Sequence, residues 1–289
     1  MTTVDRMEVI ASITSEVVDR EQEVTSVGGV TMTMQDDAPV GVLLKRWRER
    51  RRLTQMQLAL DTEVSPRHLS FVETGRSRPT PAMIDRLATS LEVPLRERNE
   101  LFLAGGYAPQ YSEGDLRSPE LHAIADAFRV LLDAHMPHPA LVLDRWWNVV
   151  DRNAATDLLL AGCSDHLLEP PVNAVRLSLH PDGLASRIRN LGQWRSFLLG
   201  QVRHRFERTA DPQLGELLEE VRNYPAPDEE RAAPRDVVVP LRLSVGDQEL
   251  SFFSIAASVV SAVDVTVDDL HIEAFYPADD VTAAAFART

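Results

Sequence analysis

Residues 65–79 read SPRHLSFVETGRSRP and gather Arg67, His68, Arg76 and Arg78 in a chain whose formal net charge is −14. A guanidinium is a planar fork of N–H donors that fits phosphate oxygens or the O6/N7 edge of guanine. The charge around it is uneven in the same sense. Residues 41–98 carry 12 Lys+Arg against 7 Asp+Glu, a net of +5, and the rest of the chain carries 18 against 37, a net of −19. A compact basic module on an acidic body implies that one part of the chain approaches nucleic acid. Other chemistry is poorly supplied. Cys163 is the only cysteine, which excludes an intrachain disulfide and every multi-cysteine metal site. His135 and His138 flank a proline in HMPH, without the i, i+4 spacing of a helical zinc pair, and no metal site is expected. No nucleophile elbow, P-loop or dinucleotide fingerprint is present, and Cys163 has no recognisable base, so no enzyme is expected.

The elements that would carry the basic residues are helical. In VGVLLKRWRERR, Leu43, Leu44 and Trp47 form one stripe, with arginines around the rest. Thr54 and Gln57 form a capping box at the start of TQMQLALD. Ser65 with Pro66, and Thr80 with Pro81, predict two further helix starts, and PLRERNELFLAGG predicts a fifth helix stopped by glycine. Helices two and three are separated only by Thr62, Glu63 and Val64, and crossed steeply they would bury Leu58, Ala59, Val64, Leu69 and Val72. Arg67, Ser70 and Phe71 then stand at i, i+3 and i+4 on the opposite face, free to enter a major groove.

The TQ opening, LA in helix two, VS before helix three and E-x-G-R-x-x-P after it resemble the phage-repressor-like, or XRE, helix-turn-helix domains. The resemblance implies that Gln55 contacts a phosphate and that Pro66, Arg67, Ser70 and Phe71 face bases. Arg76 and Arg78 would lie near backbone phosphates. From the residues themselves, Ser65, which caps the reading helix, and His68, which touches phosphate or packs beside helix one, complete the DNA-binding candidates. The resemblance also implies a homodimer on a near-palindromic double-stranded operator. One position departs from the pattern: Glu63 stands where the family usually has glycine, so a turn with positive φ would be strained by about 1 kcal/mol.

The remainder of the chain has a different texture. Residues 1–38 lack periodicity and no apolar leader is evident, so a mobile tail on a cytoplasmic protein is expected. Residues 107–117, rich in turn formers, read as a linker between a domain at 39–106 and one at 118–289. In the second domain, ELHAIADAFRVLLDAH predicts an amphipathic helix. PALVL and WWNVVD predict two strands joined by Asp144 and Arg145, and NAATDLLLAG a helix capped by Asn153. VVVPLRLSV, ELSFFSIAAS and LHIEAFYP predict three more strands, the first two joined around Gly246. The fold class expected is an all-α five-helix domain followed by an α+β, PAS-like domain with an antiparallel sheet and a helical insert. No membrane partner is expected, because no apolar run is long enough to span a bilayer.

WWNVVDRNAA, VNAVRLSLHPDGL, NLGQW and the closing ELSFFSIAAS to EAFYP resemble the MmyB-like ligand-binding domain. The resemblance implies an apolar cavity that holds a fatty-acid-like ligand, with no cofactor required. Trp146, Trp147, Trp194, Phe197, Phe252, Phe253 and Phe275 are the candidate lining, and His180, Arg187 and Arg195 the candidates to meet a carboxylate at its mouth. The alternative is a DNA-tethered protein-interaction module in which these aromatics fill a solid core.

Overall fold

The computed structural model describes residues 38–225 and 238–287. The expected tail, residues 1–38, therefore lies outside the described residues except for Ala38. Helices α1 (Val40–Arg50), α2 (Gln55–Asp61), α3 (Pro66–Glu73), α4 (Pro81–Ser90) and α5 (Leu95–Ala104) follow the five sequence predictions closely. Their starts are local. The Thr54 hydroxyl accepts the Gln57 N–H while the Gln57 side chain accepts the Thr54 N–H. Ser65 and Thr80 accept the N–H of His68 and Met83, each with proline at the first helical position. Leu44, Trp47, Leu58, Ala59, Leu69, Val72, Leu87 and Phe102 form the core between these helices. Gly41 permits the closest approach, since a Cβ there would sit 2.0 Å from the carbonyl oxygen of Val72.

The segment 107–117 is fastened at both ends. Tyr107 and Tyr111 donate their hydroxyls to the Pro79 carbonyl and to Asp85. The Asn99 side chain bonds the backbone of Gln110 and Tyr111. Further on, Ser112 donates to Asp264 and its carbonyl accepts the Val265 N–H.

Next come α6 (His122–Ala134), β1 (Ala140–Leu143), β2 (Val149–Arg152), α7 (Asp157–Leu160), α8 (Ala174–Leu179), α9 (Leu191–Thr209) and α10 (Pro212–Arg222). The chain closes with β3 (Leu241–Val245), β4 (Gln248–Ser258), α11 (Val265–Asp269), β5 (His271–Pro277) and α12 (Asp280–Phe286). The five strands form one antiparallel sheet in the order β2-β1-β5-β4-β3, with Leu141 opposite Glu273 and Phe252 opposite Leu241. Alternation of side chains divides the sheet. Leu141, Leu143, Leu241, Leu243, Phe252 and Phe275 pack with α8, α9 and α10, and Ala140, Val142 and Ile272 pack with Phe128 and Leu132 of α6. The α+β class with an antiparallel sheet and a helical insert between β2 and β3 is as the sequence predicts.

Two local expectations are corrected. The strand predicted over WWNVVD begins only at Val149, so Trp146 and Trp147 do not alternate across the sheet. The Asp144 carboxylate accepts the N–H groups of Trp146 and Asn148 and the Asn148 amide, which curls the chain into a turn with Trp147 at φ 64°. Nor does Asn153 cap a helix. Its side chain accepts the Ala140 N–H and donates to the carbonyls of Leu132 and His138, tying α6 to the sheet.

Candidate nucleic-acid interface and ligand cavity

Helix α3 is held from beneath by a buried ion pair. Arg48 of α1 donates from Nε and Nη2 to the two carboxylate oxygens of Glu73 at 2.7 and 2.9 Å, and Gln55 donates to the same carboxylate at 2.7 Å. A charge this deep is tolerated because its hydrogen bonds are filled. The Arg48 role was not evident in the sequence, where it reads as one arginine of a surface run. Glu73, the glutamate of the E-x-G-R pattern, was the available signal. Leu69 and Val72 face the core, while Ser65, Pro66, Arg67 and His68 are exposed and Ser70 and Phe71 are half-buried. Arg67 and Arg76 place their guanidinium carbons 5.4 and 5.9 Å from the Phe71 ring centre, which preorganises two exposed forks beside one another. His68 sits with Nε2 3.5 Å from the Ser77 hydroxyl. Glu63 has φ 54°, so the turn before α3 keeps the left-handed geometry that glycine tolerates best.

The residues expected at phosphates differ in what holds them. Arg76 is exposed. Gln55 is turned toward Glu73, and Arg78 donates to the carbonyls of Gly105 and Gly106 with its guanidinium 4.8 Å from the Tyr107 ring, fastening the end of α5. Arg51 similarly donates to the carbonyls of Leu91 and Glu92.

In the second domain a cavity of about 80 Å³ lies between the sheet and α7–α9, with Leu141, Leu159, Val175, Leu177, Leu198 and Phe275 among its walls. One ordered water needs only about 10–15 Å³ of occupied space, so the cavity is larger than a single water site. Of the sequence candidates, Trp147, Trp194 and Phe275 line it. The structure does not bring the other seven to its walls. Trp146 donates its indole N–H to Asp211. Phe252 is core between Phe275 and Phe286, Phe253 stacks on Tyr276, and Phe197 lies against Trp194. Arg187 donates to the carbonyls of Leu158 and Ala161, Arg195 to that of Arg222, and His180 accepts the Asp182 N–H. Local hydrogen-bond demand, invisible in the sequence, has claimed all three polar candidates. Four polar residues that sequence reasoning missed, Arg152, Thr156, Ser178 and Glu273, also line the cavity. The buried Trp194 indole N–H has no hydrogen-bond partner among the described residues, and burial pushes the Glu273 carboxyl above the usual range. Cys163 lies nearby in sequence to Leu159, and burial pushes its thiol up, away from the thiolate form.

A third feature joins the two domains. Arg145, 5% exposed, lies in the turn between β1 and β2 and meets Glu97 of α5, Asp269 at 3.3 Å and Asp211 at 3.4 Å. Arg96 also pairs with Asp269, and the Leu95 N–H donates to Asp268. Burial, only partly offset by Arg145 and Arg96, pushes Asp269 up to about 6. The same turn reaches the cavity. Arg205 donates to the Arg145 carbonyl and lies 4.0 Å from the centre of the Trp147 ring, its pKa pushed down to about 10 by burial and then by Arg145. Three consecutive residues thus serve the first domain, the junction and the cavity wall.

A family model described as the MmyB-like transcription regulator ligand binding domain matches residues 124–288, and a helix-turn-helix domain model matches residues 39–101. No curated protein matches the chain.

Proposed function

The chain belongs to the MmyB-like transcription regulators, with a helix-turn-helix domain ahead of the ligand-binding domain, and from that premise we propose how it reads DNA and what it senses. Helix α3 enters the major groove of a near-palindromic operator as part of a homodimer. Arg67 presents its fork to guanine O6 and N7, and Phe71 meets a thymine methyl or sugar. Arg76 supplies phosphate affinity that falls with salt. The observation that carries this reading is the pair of exposed arginines, Arg67 on α3 and Arg76 just beyond it, set beside the half-buried Phe71, on a helix locked to α1 by the Arg48–Glu73 pair.

The effector is a small apolar molecule with one hydrogen-bond acceptor. The apolar lining supports the first property. The unpartnered Trp194 N–H supports the second, since a buried donor left unmade costs about 1–3 kcal/mol that a ligand oxygen would recover. A fatty-acid-like ligand would bring an apolar chain for this lining and an acceptor oxygen for the indole N–H. Trp147, Arg145 and Glu97 give the route by which a change at the cavity reaches α5. A ligand acts along it only by binding one arrangement of the turn better than another. The protein works in the cytoplasm, where its operator is.

Competition binding with Arg67→Ala tests the reading. Operator affinity should fall and base preference relax by about 1–3 kcal/mol, the worth of one bidentate contact. Unchanged sequence preference would refute the assignment of Arg67 to a base.

A further inference from the structure

We propose that His166, His180 and Asp182 form a binding site for a divalent late first-row cation of the Zn2+ type. Among the described residues they are the one group of three metal-capable side chains whose ligand atoms lie within 4.8 Å of one another. The donor set is two imidazoles and a carboxylate, the combination that suits Zn2+ and leaves a fourth position to water. A tetrahedral ion about 2.0–2.2 Å from each donor holds them roughly 3.4 Å apart, so the side chains must close by about 1 Å or a little more. They are free to do so: His166 and Asp182 are exposed and His180 is half-buried.

The backbone is already arranged for this closure. His166 lies in the short 3-10 turn Asp165–Leu167 that follows α7, and His180 and Asp182 directly follow α8. The two segments are joined by the bond from the Ser164 N–H to the Asp182 carbonyl at 2.9 Å, so little chain entropy is lost on chelation. The His166 and His180 rings stand 5.4 Å apart edge to face, and the Tyr224 ring meets His180 edge to face at 4.9 Å. His180 Nδ1 faces Asp182, accepting its N–H at 3.1 Å with the carboxylate 3.9 Å away. Metal at Nδ1 would replace that single hydrogen bond, and the exposed Asp182 N–H would turn to water at small cost.

The site lies on two chain segments that also contribute to the cavity wall. Leu159 and Leu160 precede His166, Leu177 and Ser178 precede His180, and Leu184 follows Asp182, all five lining the cavity. A bound ion would therefore pin both segments that form this wall. The site itself does not depend on the proposed effector or operator.

Equilibrium dialysis of the tag-free full chain with ZnCl2, with Co2+ absorption as a second readout, tests the proposal. One equivalent should bind, with tetrahedral Co2+ bands. His166→Ala and Asp182→Asn should each weaken binding by about 10- to 100-fold, at least the loss seen when an outer partner of a metal ligand is removed. His135→Ala should leave binding unchanged. Both test positions are exposed, so circular dichroism should show the variants folded. No saturable Zn2+ binding by the wild type, or affinity untouched by both His166→Ala and Asp182→Asn, would overturn the site.

Discussion

Replacing Arg145 by methionine should destabilise the protein by about 3 kcal/mol at pH 7. The guanidinium is buried among Glu97, Asp211 and Asp269, and removing one member of a buried ion pair generally costs about 3–5 kcal/mol because the partner charge is stranded. The lower end applies here because one carboxyl has an escape. Asp269 is already pushed up to about 6, so taking up a proton at pH 7 costs only about 1.4 kcal/mol. The loss should accordingly shrink as pH falls from 7.5 to 5.5. A carboxyl whose folded pKa is raised above its unfolded value binds more protons when folded, so its contribution improves as pH drops through the folded pKa. Urea unfolding followed by tryptophan fluorescence measures this, with Trp146 and Trp147 adjacent to the substitution. Adding Glu97→Gln should restore part of the loss, with a coupling of about 0.5–3 kcal/mol. A cost below about 1 kcal/mol, or strictly additive single substitutions, would refute the view that Arg145 organises the carboxylates at the domain junction.

The turn before the reading helix offers a gain: Glu63→Gly should stabilise the protein by about 1 kcal/mol by removing left-handed strain at φ 54°, and a lowered melting temperature would contradict this. Trp194→Phe should weaken binding of acceptor-bearing apolar ligands while sparing hydrocarbons of equal size, and calorimetry showing equal losses for both would remove the indole N–H from ligand recognition. Burial, then Arg205, pushes His271 down to about 4, so the unfolded chain binds the extra proton between about pH 4 and 6.5. Stability from this group is present above pH 6.5 and lost as pH falls to 4, by about 3 kcal/mol. The difference between wild type and His271→Gln across that window should isolate the effect from the opposite one at Asp269, and a flat difference would show that His271 keeps its ordinary pKa.

The first domain was legible because its signals are short-ranged. A capping box links Thr54 to Gln57, Ser65 and Thr80 act over three residues, and the apolar stripe repeats within one helix, so each interaction is present in the string of letters. The strands of the second domain were legible for the same reason, through β-branched runs and the Gly246 turn. What sequence reading misplaced lay where a side chain's partner is remote. Trp146 and Trp147 left their predicted strand because the Asp144 carboxylate captured the local backbone, and they then found Asp211 and Arg205.

Sequence by itself determined which helices of the first domain form and where they start. Only the tertiary structure decided that Gln55 and Arg78 brace the scaffold, that three of ten candidate aromatics and polar groups reach the cavity, and that Arg145 joins Glu97 to Asp269. Capping and periodicity act between neighbours along the chain, whereas burial and charge pairing act between neighbours in space, and a chain of letters specifies the second only through folding.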